Sequence, residues 1–89
     1  MITSEQVRAA RGLLRITQGE LATKAGLSVE TIKRLESMAG VISTFSSTEA
    51  AIRLAFAELG VEFIDENGGG RGVRFRRPGD AGSPYIVLD

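Results

Sequence analysis

The side chains best suited to gripping another molecule gather in residues 28–37 (SVETIKRLES). Arg34 offers a planar fork of donors that matches the paired acceptors on the guanine edge. Glu30 can accept from the exocyclic amine of cytosine, and Val29 can lie against a thymine methyl. Ser28 can join them, while Lys33 and, more weakly, Ser37 suit a phosphate oxygen. Each also has a plainer role: Glu30 complements a helix dipole, and Lys33 and Arg34 are ordinary solvated charges. This is recognition chemistry rather than bond-making. The chain has no histidine and no cysteine, which removes the commonest general base and metal ligand together with any disulfide or thiolate site. No metal or cofactor is expected, and an enzyme has little to work with.

Such side chains need a helix with one free face, and the sequence supplies one. In residues 18–25, Leu21, Ala22 and Ala25 form an apolar face, and Gly26 follows as a residue that turns with positive φ at little steric cost. Thr17 and Glu20 fit a capping box that fixes where this helix starts. Ser28 can cap the next helix, which runs over residues 28–38 with Ile32 and Leu35 inward and Gly40 as a stop. Helix, corner, helix is the arrangement whose second helix normally enters the DNA major groove. Its exposed face then carries Ser28, Val29, Glu30, Lys33, Arg34 and Ser37. Gln18 opens the first of the two helices, where a side-chain amide beside free backbone N–H groups suits a phosphate; its plain role is that of an ordinary first-turn residue.

The remaining segments frame this pair. Thr3 and Gln6 fit another capping box, after which Val7, Ala10 and Leu14, with Leu13 beside them, line one face of a helix ending near Arg15. Residues 39–47 carry Val41, Ile42 and Phe45, either tucked onto the core or offered to a second subunit. A one-turn helix also fits there. Ser46 and Glu49 fit a third box before Ile52, Ala55, Phe56 and Leu59, and Gly60 ends that helix. Beyond it the period changes to two. Residues 61–64 and 72–77 read as strands, with the Asn67–Gly68 dipeptide as a hairpin signal between them. A lone hairpin is marginal in water, so it packs on the helices or pairs with a second copy through Val61, Phe63, Val73 and Phe75. Residues 78–84 are a turn-rich break, and 85–88 can form a third short strand. The cluster Arg71, Arg74, Arg76 and Arg77 can track phosphate, pair with Asp65 and Glu66, or keep an edge strand soluble. The glycine run beside it lacks the Lys-Ser/Thr and strand-to-helix setting of a phosphate loop.

Residues 3–60 resemble the phage-repressor-like (Cro/XRE-type) helix-turn-helix family. The matching positions are Gln18, Ala22, Gly26, Leu27, Ile32, Leu35 and Glu36. The resemblance implies a mainly α fold, a four-to-five-helix lambda-repressor-like domain over residues 1–60. A β-hairpin over 61–77 follows, then a tail over 78–89 with the optional third strand. It implies base reading by Val29, Glu30 and Arg34. It also implies an ion pair between Arg11 and Glu36 that positions the second helix while leaving the Arg11 guanidinium near a phosphate. Arg15 departs from the family pattern, which often has glycine there.

Composition sets limits. With 89 residues the core is thin and readily shared with a partner subunit. Eleven basic and eleven acidic residues cancel, unusual for a nucleic-acid binder, so any positive surface must come from arrangement. No apolar run approaches a membrane span, and the N-terminus lacks a signal-peptide core, so a cytoplasmic protein without membrane contact is expected. The function expected is a double-stranded-DNA-binding regulator, a homodimeric repressor on a near-palindromic site. The alternative is an antitoxin-like or anti-activator module that binds another protein. No small-molecule site is evident.

Overall fold

Capping decides where the helices begin. The computed structural model describes residues 1–76: α1 (Ser4–Leu14), α2 (Gln18–Ala25), α3 (Val29–Glu36), α4 (Ser46–Glu58), β1 (Val61–Ile64) and β2 (Gly72–Phe75). The chain is a small, mainly helical domain with an antiparallel hairpin. Thr3 and Gln6 form a reciprocal capping box on α1, and Thr17 and Glu20 form one on α2. Ser28 caps α3 through the Thr31 amide at 3.2 Å. α2 ends at Gly26 in the left-handed region (φ 71°), where glycine meets no side-chain penalty.

One expectation needs correction. Ser46 is not the cap of α4: the helix opens one residue earlier on Phe45, without a side-chain cap, and the Phe45 carbonyl accepts from Thr48 and Glu49. The Glu49 carboxylate turns instead to Arg53 at 3.1 Å and the α-amino group of Met1 at 3.8 Å. The antiparallel hairpin forms around the segment that holds the Asn67–Gly68 signal. The ladder stops at Ile64 opposite Gly72, leaving residues 65–71 as the connection. Val61 faces Phe75 and Phe63 faces Val73, so one pleat surface holds all four, and of the two roles open to it that surface takes the packing on the chain's own helices. Val61 is 1% exposed, and Phe63, Val73 and Phe75 are half-buried.

α3 ends at Glu36, with Ser37 as its C-cap, short of the expected Met38. In the loop that follows, Ile42 is buried whereas Val41 and Phe45 are exposed. Leu13 is exposed too, off the buried stripe of Val7, Ala10 and Leu14. The expected third strand and Arg77 lie outside the described residues. Among the described residues, no helix is long and apolar enough to cross a membrane.

One core joins all six elements. Ile2, Leu14, Leu21, Ile32, Leu35 and Phe56 are among its fully buried side chains. Phe63 meets Phe56 edge to face, ring centroids 5.6 Å apart, and the Arg53 guanidinium lies 5.7 Å from the Phe63 ring centre. The boundary at residue 60 is therefore a change of secondary structure, with one core on both sides of it.

Gln6 fastens the hairpin to α1. Its Oε1 accepts from the Thr3 amide at 2.9 Å, and its Nε2 donates to the carbonyls of Ile64 at 3.2 Å and Gly72 at 2.9 Å. A buried amide is tolerable because its bonds are made. Gln6→Met, similar in shape but unable to bond, strands three backbone groups and is expected to lower unfolding stability by about 1–3 kcal/mol. A urea titration checks it. An unchanged midpoint would mean that apolar contact alone holds the hairpin.

Candidate functional site

The surface of α3 and the structure behind it form the candidate site. Ile32 and Leu35 are buried at zero exposure, which leaves Glu30, Lys33 and Arg34 on the opposite, exposed face with Ser28 and Ser37 at the two ends. The Ser28 hydroxyl shares a 2.9 Å bond with the Thr31 hydroxyl in addition to its capping bond, so it is only partly free. Val29 is half-buried and packs against the core. The Ser37 hydroxyl donates to the Arg34 carbonyl at 2.7 Å. Among the side chains expected to read bases, Glu30 and Arg34 project most freely.

Behind α3, Arg11 and Glu36 meet in a two-pronged bridge, with Nε 2.7 Å from Oε2 and Nη2 2.8 Å from Oε1. Arg11 Nη1 donates to the Ile16 carbonyl at 2.9 Å, and Gln18 Nε2 donates to Glu36 Oε1 at 3.0 Å. Arg8 donates to the Glu36 carbonyl, and the Ser4 hydroxyl to that of Met38. The carboxylate at the end of α3 thus takes bonds from α1 through Arg11 and from the start of α2 through Gln18, and Arg11 extends the network to the turn before α2. This limits two residues expected at phosphate. Gln18 has one amide N–H already engaged, and Arg11, with three of its five N–H groups engaged, keeps two for an outside oxygen.

Burial pushes the Glu36 carboxyl up, but the hydrogen bonds from Arg11 and Gln18, with the charges of Arg11 and Arg8, outweigh it and hold its pKa below the ordinary glutamate value. The bonds to Glu36 raise the Arg11 pKa in turn, against desolvation.

Charge is segregated by pairing. Arg8, Arg11, Lys24, Arg53, Arg71 and Arg74 each lie within ion-pair distance of a glutamate. Among the described residues, the cations outside these pairs are Arg15, Lys33, Arg34 and Arg76. The hairpin arginines Arg71 and Arg74 are matched to Glu66 and Glu62, so of the roles open to them carboxylate pairing across the hairpin is the one the fold shows, with Glu62 in place of the expected Asp65 for Arg74.

Two arginines not singled out as site residues differ here: Arg8 bonds into this frame, and Arg15 does not. Arg8 is an exposed α1 arginine whose sequence position gives no sign of a bond to Glu36, 28 residues away. Arg15 carried one visible signal, its place at a helix end where glycine is common. An open groove of about 650 Å³ runs between α2 and Leu59, lined by Ile16, Thr17, Gly19, Glu20, Thr23, Lys24 and Leu59. It includes none of the candidate residues. Among the described residues, no group of three or more histidine, cysteine, aspartate or glutamate side chains could hold a metal ion. Compared with known proteins, the chain matches no family model and no curated sequence.

Because the Glu36 pKa is depressed in the folded state, its contribution is present at neutral pH and fades as pH falls below about 5. The acid-side slope of stability against pH should therefore flatten in Glu36→Gln. Urea midpoints across an acid series measure it, and parallel curves for the two proteins would remove Glu36 as a source of that slope.

Proposed function

We propose that the protein is a sequence-specific, double-stranded-DNA-binding transcriptional regulator of the phage-repressor-like helix-turn-helix kind, acting in the cytoplasm as a homodimeric repressor. The observation that carries this reading is the exposed face of α3. It presents Lys33 and Arg34 outside any ion pair among the described residues, while the bridge to Arg11 and the bond from Gln18 grip the end of the same helix. A recognition helix needs both properties: side chains that reach base edges and a fixed angle of entry. In a two-fold dimer, two copies of α3 would meet successive major grooves about 34 Å apart on a near-palindromic site.

In this reading Arg34 takes a guanine edge, Glu30 accepts from a cytosine amine and Val29, with its remaining exposed surface, touches a thymine methyl. Ser28 contributes the part of its hydroxyl that capping leaves free. Lys33, Ser37, Gln18 and the outer N–H groups of Arg11 hold phosphates. The surface joining two copies is a different one from the inner pleat of the hairpin. Phe45, 80% exposed, and Val41, 39% exposed, offer apolar area elsewhere.

That same apolar area favours a second reading, an antitoxin-like or anti-activator module whose partner is a protein. Salt separates the two. Phosphate contacts make log K fall steeply with log salt, whereas an apolar interface hardly responds.

Selection from randomised duplexes should return a two-fold site. On that site Arg34→Ala is expected to weaken binding by about 1–3 kcal/mol and to relax preference at one position in each half. Equal weakening on every sequence would remove Arg34 as a base reader. A failure of the selection to enrich any duplex would overturn the DNA-binding reading.

A further inference from the structure

Arg15 occupies a backbone conformation that suits glycine. Its φ of 57° and ψ of 39° place it in the left-handed region, and among the described residues no other non-glycine has positive φ. Its amide closes α1 by bonding to the carbonyls of Arg11 and Gly12, a role that any residue with an N–H could fill. A cation at this helix end complements the α1 dipole, but that needs no long, outward-reaching side chain. Arg15 is exposed, and its guanidinium makes no hydrogen bond or ion pair among the described residues.

Its position gives the side chain a use. The next residue, Ile16, supplies the carbonyl that Arg11 Nη1 holds at 2.9 Å, and the same guanidinium grips Glu36 at the end of α3. One arginine side chain thus links the turn bearing Arg15 to the helix bearing Lys33 and Arg34. An exposed cation outside any ion pair among the described residues, in a strained backbone conformation one residue from a turn tied through Arg11 to α3, is the pattern of a residue kept for a contact outside the chain.

We infer that Arg15 is a phosphate-binding residue of this protein, gripping the DNA backbone beside the groove that α3 enters. This rests on the DNA-binding reading above. The contact carries affinity without sequence information, because phosphates are alike at every base pair. It also helps a chain of zero net charge to bind a polyanion.

The test compares the full chain with Arg15→Asn and Arg15→Gly, both neutral residues that accept left-handed backbone, and with Arg15→Lys, which keeps the charge. Binding to one selected duplex is followed over a range of salt concentrations. Thermal melts by circular dichroism confirm that each variant is folded. Both neutral variants are expected to bind several-fold more weakly to matched and mismatched duplexes alike, with the slope of log K against log salt shallower by about 1.8, roughly 0.9 for each of the two copies on the site. Arg15→Lys should keep the original slope. If the neutral variants keep the wild-type slope while wild type binds its duplex, the Arg15 contact is refuted and DNA binding stands. Equal slope loss in Arg15→Lys would also refute it, since charge would not be the cause. If wild type binds no duplex at all, both readings fall together.

Discussion

The bridge between Arg11 and Glu36 is the constraint on which the rest of the structure depends. Glu36 is buried, its side chain only 4% exposed, and it keeps its charge because Arg11 meets it with two parallel hydrogen bonds and Gln18 adds a third. Removing one partner of such a pair is costly, since it strands the other charge away from water. Its structural effect is directional. The apolar contacts of Ile32 and Leu35 hold α3 to the core but tolerate small rotations and slides, because apolar burial has little directionality. A bidentate bridge at the end of the helix does not, so it sets the angle at which Lys33 and Arg34 face outward.

The neutral composition has a physical resolution in the same terms. Exposed ion pairs such as Lys24 with Glu58, or Arg53 with Glu49, add little to stability. Their consequence is electrostatic. Each pair reduces to a short dipole whose field dies away within a few ångströms in salt water. The charges left outside pairs then dominate at longer range, and Lys33 and Arg34 are among them. Glu30 sits on the same helix and tempers their field locally.

What the sequence reveals about this fold divides by range. The boxes at Thr3–Gln6 and Thr17–Glu20, the turn at Gly26 and the strands near 61 and 72 are local patterns, legible because cause and effect lie within a few residues. Ser46–Glu49 fits the same pattern and fails, because Glu49 is claimed by Arg53 and by the chain's own amino terminus. Gln6 shows how much a local reading leaves out: its capping role is visible in the sequence, whereas its grip on Ile64 and Gly72 joins residues about sixty positions away. Gln18 is similar. It opens α2 as the pattern indicates, yet its amide is turned to a carboxylate on another helix.

The hairpin illustrates a competition that composition alone cannot decide. Val61, Phe63, Val73 and Phe75 could cover either the chain's own helices or a second copy, and alternation in the strand is compatible with both. Geometry favours the intramolecular choice. Gly60 takes positive φ directly after α4, so β1 is delivered beside Phe56 with almost no connecting chain to order. Docking within one chain also avoids the loss of translational freedom that association incurs. In a domain this small, the inner pleat of the hairpin is needed to complete the monomer's core. The apolar area the monomer leaves uncovered then lies elsewhere, chiefly at Phe45 and Leu54 and in part at Val41.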